Sequence, residues 1–385
     1  MLTRKFAALI SITCLVVSVL WGSIGASQAS QSSISLVTDP PIATVHPRHD
    51  LVRLSLQAQD AQGQLLKDAK FHVQLLTPPK TPWFTTDFPI VEGTTLLNLE
   101  ANAPTGVLSF QQVFPIRGTY QILVDVTPLT APSFAPIQQT LTISVPENPV
   151  KYRNFLILAA ILLAVGLVGG WIIGQRQPIR SGEIAPQRVR LLLSGAIVVA
   201  IVALLSINIS AEFAASHSHH HETLASASPL QQAQGLTLQL TGDSHATVGQ
   251  LTSLEVQATD AATGQPLNDV IFTVKAIQLE DNEPIWNYQG MPDATGKMTW
   301  QQQFFDGAPH RVEVVVAPQP SSPRQFQPFQ ASQDIEVDGI EPPMLTRLIS
   351  LFYFTSIMVV GLLLSLGQQH WKKTRYRSQS YPNSL

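Results

Sequence analysis

The chain has 385 residues, a formal net charge of −3 and a mean hydropathy of +0.15, with 45% hydrophobic and 13% charged residues. That charged share is roughly half the ~25% of a soluble domain, so the balance is that of a membrane protein, and it excludes the concentrated basic face that nucleic acid requires. The single cysteine, Cys14, lies in an N-terminal apolar stretch, so the exported chain has no internal disulfide, thiolate zinc site or CxxCH haem attachment.

Residues 1–29 carry Arg4-Lys5, an apolar run from Phe6 to Leu20, and Ser27-Gln28-Ala29, the pattern of a secretory signal cleaved after Ala29. An uncleaved anchor is the alternative, and both place the segment after Ala29 outside. Cys14 follows Ile12-Thr13 rather than a small residue, which is not the pattern of an acylated lipoprotein. Across residues 30–150 apolar side chains alternate: Leu54, Leu56 and Ala58 share a face, as do Phe71 and Val73, then Tyr120, Ile122, Val124 and Val126. Turn signals such as Asp60-Ala61-Gln62-Gly63 and Arg117-Gly118 separate these runs. The segment is predicted to be an antiparallel, immunoglobulin-like β-sandwich. Its loop 81–89 holds Trp83, Phe84 and Phe88, which either anchor a protein partner or cover a sandwich edge.

Residues 154–174 are long and apolar enough to span a bilayer. Gly166, Gly170 and Gly174 recur at four-residue spacing, which lets another helix of this chain or of another subunit approach closely. The connection 175–190 carries Arg176, Arg180, Arg188 and Arg190, and a second span comes at 191–210. Just beyond it, residues 216–222 read Ser-His-Ser-His-His-His-Glu. His217, His219, His220 and His221, with Glu222 beside them, form a flexible imidazole set for a divalent transition metal such as Cu, Ni or Zn; otherwise the run is a polar linker.

Residues 223–342 repeat the first outer segment. GVLSFQQVFPIRGTYQILVDVTP at 106–128 aligns without a gap with GKMTWQQQFFDGAPHRVEVVVAP at 296–318, and 53–73 matches 253–274 with one inserted residue. Leu254, Val256 and Ala258 alternate, as do Phe272 and Val274, then His310, Val312, Val314 and Val316. A second sandwich with its own core is expected. The third span lies at 348–366, with Gly361 and Ser365 a weaker copy of the glycine spacing, and the tail 367–385 carries Lys372, Lys373, Arg375 and Arg377. By the positive-inside rule the tail and the 175–190 loop are cytoplasmic and both β segments are outside. No span has an ionisable residue in its middle, which argues against transport by this chain alone.

Other candidates have simpler readings. His245, Met291, Met298 and His310 superficially resemble a Cu(I) set, but Met298 corresponds to Leu108 and shares a face with Trp300, and His310 replaces Tyr120. His46 and His49 fall in a loop, and His72 alternates with core residues and faces solvent or the partner sheet. Asp60 and Asp68, repeated as Asp260 and Asp269, flank a turn, where Asp bonds its own backbone. No nucleophile elbow, HExxH, phosphate loop or dinucleotide fingerprint is present, so the chain is expected not to be an enzyme.

An early strand, a turn before Phe71-His72-Val73, then G-x-x-x-F and the closing GTYQILV resemble the extracytoplasmic domain of YtkA-like and FixH-like proteins. The resemblance covers both β segments. It implies a membrane-tethered β module that assists a metal-related or oxidase-related membrane complex. The expectation is therefore a mainly β protein with two duplicated sandwiches and three transmembrane helices, in a bacterial inner or thylakoid membrane. It would be a non-enzymatic binding or accessory module with a protein partner and a transition-metal role; the alternative is a structural or assembly subunit with no metal role.

Overall fold

A computed structural model describes residues 32–81, 86, 88–130, 133–175, 184, 186–195 and 230–379. The first repeat supplies β1 (Ser33–Asp39), β2 (Leu51–Gln59), β3 (Ala69–Leu76), β4 (Thr95–Ala103), β5 (Val107–Val113), β6 (Gly118–Pro128) and β7 (Ile137–Val145), and leads into α1 (Pro149–Gly174). The second supplies β8 (Leu230–Ala233), β9 (Leu236–Gly242), β10 (His245–Thr247), β11 (Leu251–Asp260), β12 (Val270–Gln278), β13 (Glu283–Gly290), β14 (Lys297–Gln303), β15 (His310–Pro318) and β16 (Phe329–Asp338), and leads into α2 (Met344–Gln379). Strict alternation makes these strands: in β3, Ala69, Phe71, Val73 and Leu75 are buried while the residues between them are not. The skeleton glycines Gly106 and Gly296 sit at φ +77° and +72°, where a Cβ would strike Leu66 O and Ala258 O respectively, so each tight turn requires glycine.

The repeats do not close into two separate sandwiches. They share two eight-stranded sheets, β1-β2-β5-β13-β12-β15-β16-β10 and β7-β6-β3-β4-β14-β11-β9-β8, around one continuous hydrophobic core. Taken alone, each repeat leaves two unpaired edges on the same side, β4 and β5 in the first, β13 and β14 in the second. Exposed edges of this kind are pairing templates. Here they are closed reciprocally, β5 on β13 and β4 on β14.

The two joints are copies of each other. Trp286, Asn287 and Tyr288 face Gln112, Gln111 and Phe110, while Leu97, Asn98 and Leu99 face Gln302, Gln301 and Trp300. Asn287 Nδ2 donates to Gln111 Oε1 and Asn98 Nδ2 donates to Gln301 Oε1, both at 2.9 Å. The repeated Gln-Gln pair of the sequence is thus the seam itself. Each residue contacts its partner's counterpart, the pattern of a two-fold interface. Between the sheets at this seam the indoles of Trp286 and Trp300 stack at 5.5 Å.

The duplication extends into the helices. A Cβ on Gly166 would strike Met358 O and lie 3.1 Å from Leu362 N; on Gly361 it would lie 2.5 Å from Leu163 O and 3.1 Å from Leu167 N. Val165-Gly166-Leu167 and Val360-Gly361-Leu362 are therefore mates in a reciprocal crossing. Farther along, Gly170 lies against Leu362 O and Ser365, and Gly174 against Gln369. Both helices advance together, so they run parallel. Each is long and apolar enough to cross a membrane and leaves most of its surface uncovered by protein, which supports a membrane-anchored chain. The second expected span, 191–210, is described only to residue 195, with residues 187–195 helical.

Candidate functional site: a cleft over the seam

The outer face of the second sheet holds a cleft of about 480 Å³ that straddles the seam, with side chains from β3, β4, β9, β11 and β14. A hydrogen-bonded row crosses four of these strands. His72 Nε2 lies 2.8 Å from Asn98 Oδ1, Asn98 Nδ2 donates to Gln301 Oε1 at 2.9 Å, and Gln301 Nε2 donates to Ser253 Oγ at 3.1 Å. The other ring nitrogen, Nδ1, lies 3.5 Å from Asp125 Oδ2. Lys70 with Glu100 at 2.6 Å and Lys297 with Glu255 at 2.7 Å flank the row. These half-exposed pairs hold geometry more than they stabilise, at about 0–1 kcal/mol each.

The cleft can bind through hydrogen bonds, since its amides, hydroxyls and carboxylates are fixed in place by the sheet. Its one large aromatic, Trp300, is 2% exposed, with its indole turned between the sheets onto Trp286, and offers no stacking platform. Among the described residues, no group of three His, Cys, Asp or Glu could hold a metal ion. Alternation alone turns His72 toward solvent or the partner sheet, and gives no sign of Asn98, Gln301, Ser253 or Glu255. The one signal for them in the sequence is the repeated Gln-Gln pair.

His217, His219, His220, His221, Glu222, Trp83 and Phe84 lie outside the described residues. Phe88 packs edge-on against Phe305 of the other repeat at 5.6 Å, with the Arg48 guanidinium 5.4 Å over its ring. Gly166, Gly170 and Gly174 lie on the α1 face against α2. The soft-metal set comes apart, because Met298 is core, His245 is an exposed edge residue near Glu336, and His310 is fully buried. Asp60 Oδ1 accepts from the Gln62 and Gln64 amides, and Asp260 Oδ1 from those of Ala262 and Thr263.

His310 marks a chemical difference between the copies at a buried corner. At its counterpart, Tyr120 Oη donates to Ile116 O at 2.7 Å and closes the corner. His310 instead uses Nδ1 on Ala308 O at 2.7 Å, and Nε2 faces Asp306 Oδ1 at 3.5 Å. Burial pushes the His310 pKa down to about 4 and pushes the Asp306 carboxyl above its ordinary range. Gln278 Nε2 donates to the other Asp306 oxygen at 2.9 Å.

No family model and no curated protein sequence matches the chain. Among solved structures, the adhesin InvE of Yersinia pseudotuberculosis aligns over 81% of this chain at 13% identity and a TM-score of 0.19, and the chain spans 61% of its length. A copper-bound variant of FetP from uropathogenic Escherichia coli covers 30% of this chain and 93% of its own, at 9% identity and a TM-score of 0.21. A CARDB domain from Pyrococcus furiosus in complex with di-metal ions covers 30% and 97%, at 13% identity and a TM-score of 0.20. Likenesses this slight carry nothing about mechanism.

Proposed function

We propose that the chain is a non-enzymatic binding module, anchored in a bacterial membrane by its helices, with the duplicated β body outside. Its specific role in this reading is transition-metal capture by His217, His219, His220, His221 and Glu222. The observation that carries the reading is the parallel course of α1 and α2. Two helices that cross in the same direction require a return crossing between them. The only apolar stretch long enough in the intervening sequence is 191–210. That return leaves the arginines of 175–190 and the basic tail on one side. The His tract then stands at the outer surface, between membrane and β body, where a metal passing to a membrane complex is met.

The test is metal content and affinity of the purified full chain beside a variant with His217, His219, His220 and His221 changed to Ala. Stoichiometric Cu, Ni or Zn bound by the first and absent from the second supports metal capture. Equal binding by both removes it. The second reading, an assembly subunit with no metal role, is favoured by the seam cleft, which offers hydrogen-bonding groups on a rigid sheet rather than a cage of ligands.

A further inference from the structure

We propose that the outer edge of β1 is a docking site for a partner protein, which adds an extended, uncharged strand antiparallel to β1 and lengthens the first sheet. The site is distinct from both the cleft and the His tract. The second repeat shows what such an edge takes. Its counterpart of β1 is β9: Ile34 faces Ala58 as Leu238 faces Ala258, and the Ala58 and Ala258 amides donate onward to Gly106 O and Gly296 O. β9 is covered by the antiparallel strand β8, with Gln231 opposite Leu238, whereas β1 ends its sheet. β8 enters through a turn whose Gln234 and Gly235 sit at φ +53° and +78°, the two positive values of a tight hairpin. The same places before β1 hold Ser30 and Gln31, without the glycine or asparagine that favours such a turn, so the first repeat does not encode this cover for itself. The other outer edge, β7, is screened by the 3-10 turn Ile42–Thr44, which lies against it where β10 lies against β16.

The main chain of β1 is arranged to receive a strand. Since the Ala58 amide points to β5, Ile34 turns its own N–H and C=O outward, and the antiparallel alternation does the same for Leu36 and Thr38. Ile34 N donates to Gln139 Oε1 of β7 at 2.8 Å. By register the counterpart of Gln139 is Ala331, which has no such group, and there Gln231 of β8 stands opposite the strand instead. An amide side chain therefore holds in the first repeat the place that a strand fills in the second. The outward N–H groups of Leu36 and Thr38 have no partner among the described residues. Natural edges are blunted by shortness, Lys or Pro. β8 and β10, which end the sheets in the second repeat, are four and three residues long. β1 runs for seven, with no Pro and with Asp39 at its end as the one charge, and Val37 on its outer face is 53% exposed. β8 reads Leu-Gln-Gln-Ala, and this uncharged strand is the pattern for the segment that β1 would take.

The experiment uses the full chain in nanodiscs, with a phage-displayed library of random linear peptides as the probe and empty nanodiscs to remove lipid binders. Enriched peptides are expected to be uncharged over their central residues and to slow hydrogen exchange at the Leu36 and Thr38 amides at least about tenfold. Thr38→Pro removes an outward N–H without taking a bond from the β1–β2 ladder, and is expected to weaken those peptides about fivefold or more. Gln139→Ala copies Ala331, frees Ile34 N and is expected to bind them more tightly. A library that yields no such peptides, or peptides that leave the two amides unchanged, overturns the proposal. Slow exchange of Leu36 and Thr38 in the chain alone overturns it as well, because the edge would already be closed. So does self-association in detergent that protects the same amides, because the occupant would then be a second copy. The exchange arms need no variant, so a Thr38→Pro chain that fails to fold does not protect the idea.

Discussion

Changing Trp286 to Ala tests whether the two repeats are one cooperative body. Trp286 is fully buried, sits at the β5–β13 joint opposite Gln112, and stacks on Trp300 from the other sheet. Removing a buried Trp costs about 3–5 kcal/mol, and the loss falls where strands of both repeats meet. With a tenfold change for every ~1.4 kcal/mol, the slowest amides should exchange faster by about two to nearly four powers of ten. The assay is hydrogen exchange of the full chain in detergent, followed in β3 and β6 of the first repeat and in β12 and β15 of the second. Acceleration in all four strands is expected, because each sheet runs through both repeats. Faster exchange confined to β12 and β15, with β3 and β6 unchanged, would refute the shared core and restore two independent sandwiches.

Two further outcomes rest on the same geometry. Gly166→Leu places a side chain where even a Cβ meets Met358 O and Leu362 N, so the helices must separate, and amides of 163–174 in detergent should exchange at least about tenfold faster; unchanged protection would mean that the crossing is not close-packed. His310→Tyr installs the residue of the equivalent corner. Since the folded-state pKa of His310, about 4, lies below the unfolded value near 6.5, its buried neutral form contributes stability that is full above pH 6.5 and is lost as pH falls toward 4, by at most about 3 kcal/mol. The raised Asp306 pKa acts in the opposite sense and offsets part of this. Urea midpoints measured at pH 7 and pH 5 should fall less in the Tyr variant, and equal falls in both chains would remove His310 as the cause.

Much of the β architecture could be read from alternation, because a period of two states which face a residue takes. Leu54, Phe71, Val124 and their counterparts are all buried as that period requires. What alternation does not state is which strand lies alongside. β4 and β13 carry the joint, yet TLLNLEANA and EPIWNYQG have little in common beyond Asn98 and Asn287, and the reason for repeating Gln111-Gln112 as Gln301-Gln302 appears only once those strands are paired. The helix mates are hidden for a related cause. Val-Gly-Leu is too short to align across 195 residues of sequence, whereas a reciprocal crossing at Gly166 and Gly361 identifies it at once. The aromatic loop is ambiguous in sequence because covering an edge and anchoring a partner use the same side chains; of its three aromatics, Phe88 packs on Phe305 of the other repeat.

A reciprocal seam also explains how the copies could diverge where function is to be sought. Residues that bridge the joints must suit both halves at once, and they are kept: Asn98 with Gln301, and Asn287 with Gln111. Residues farther from the joints answer only to their own sheet. His72, Glu100, Asp125 and Glu255 on the second sheet correspond by register to Thr273, Gln289, Val315 and Ser55 on the first. The first face has its own charges in turn, Arg53, Lys275, Arg311 and Glu313, where the second has Ser253, Gln74, Gln121 and Leu123, so the two equivalent faces carry different ionisable sets. A symmetric pair of identical chains would carry the same set on both, since any change appears twice. Covalent fusion removes that constraint, so the cleft over β3, β4, β14 and β11 is a property of the fused chain, and its opposite face serves as the built-in comparison for any ligand tested on it.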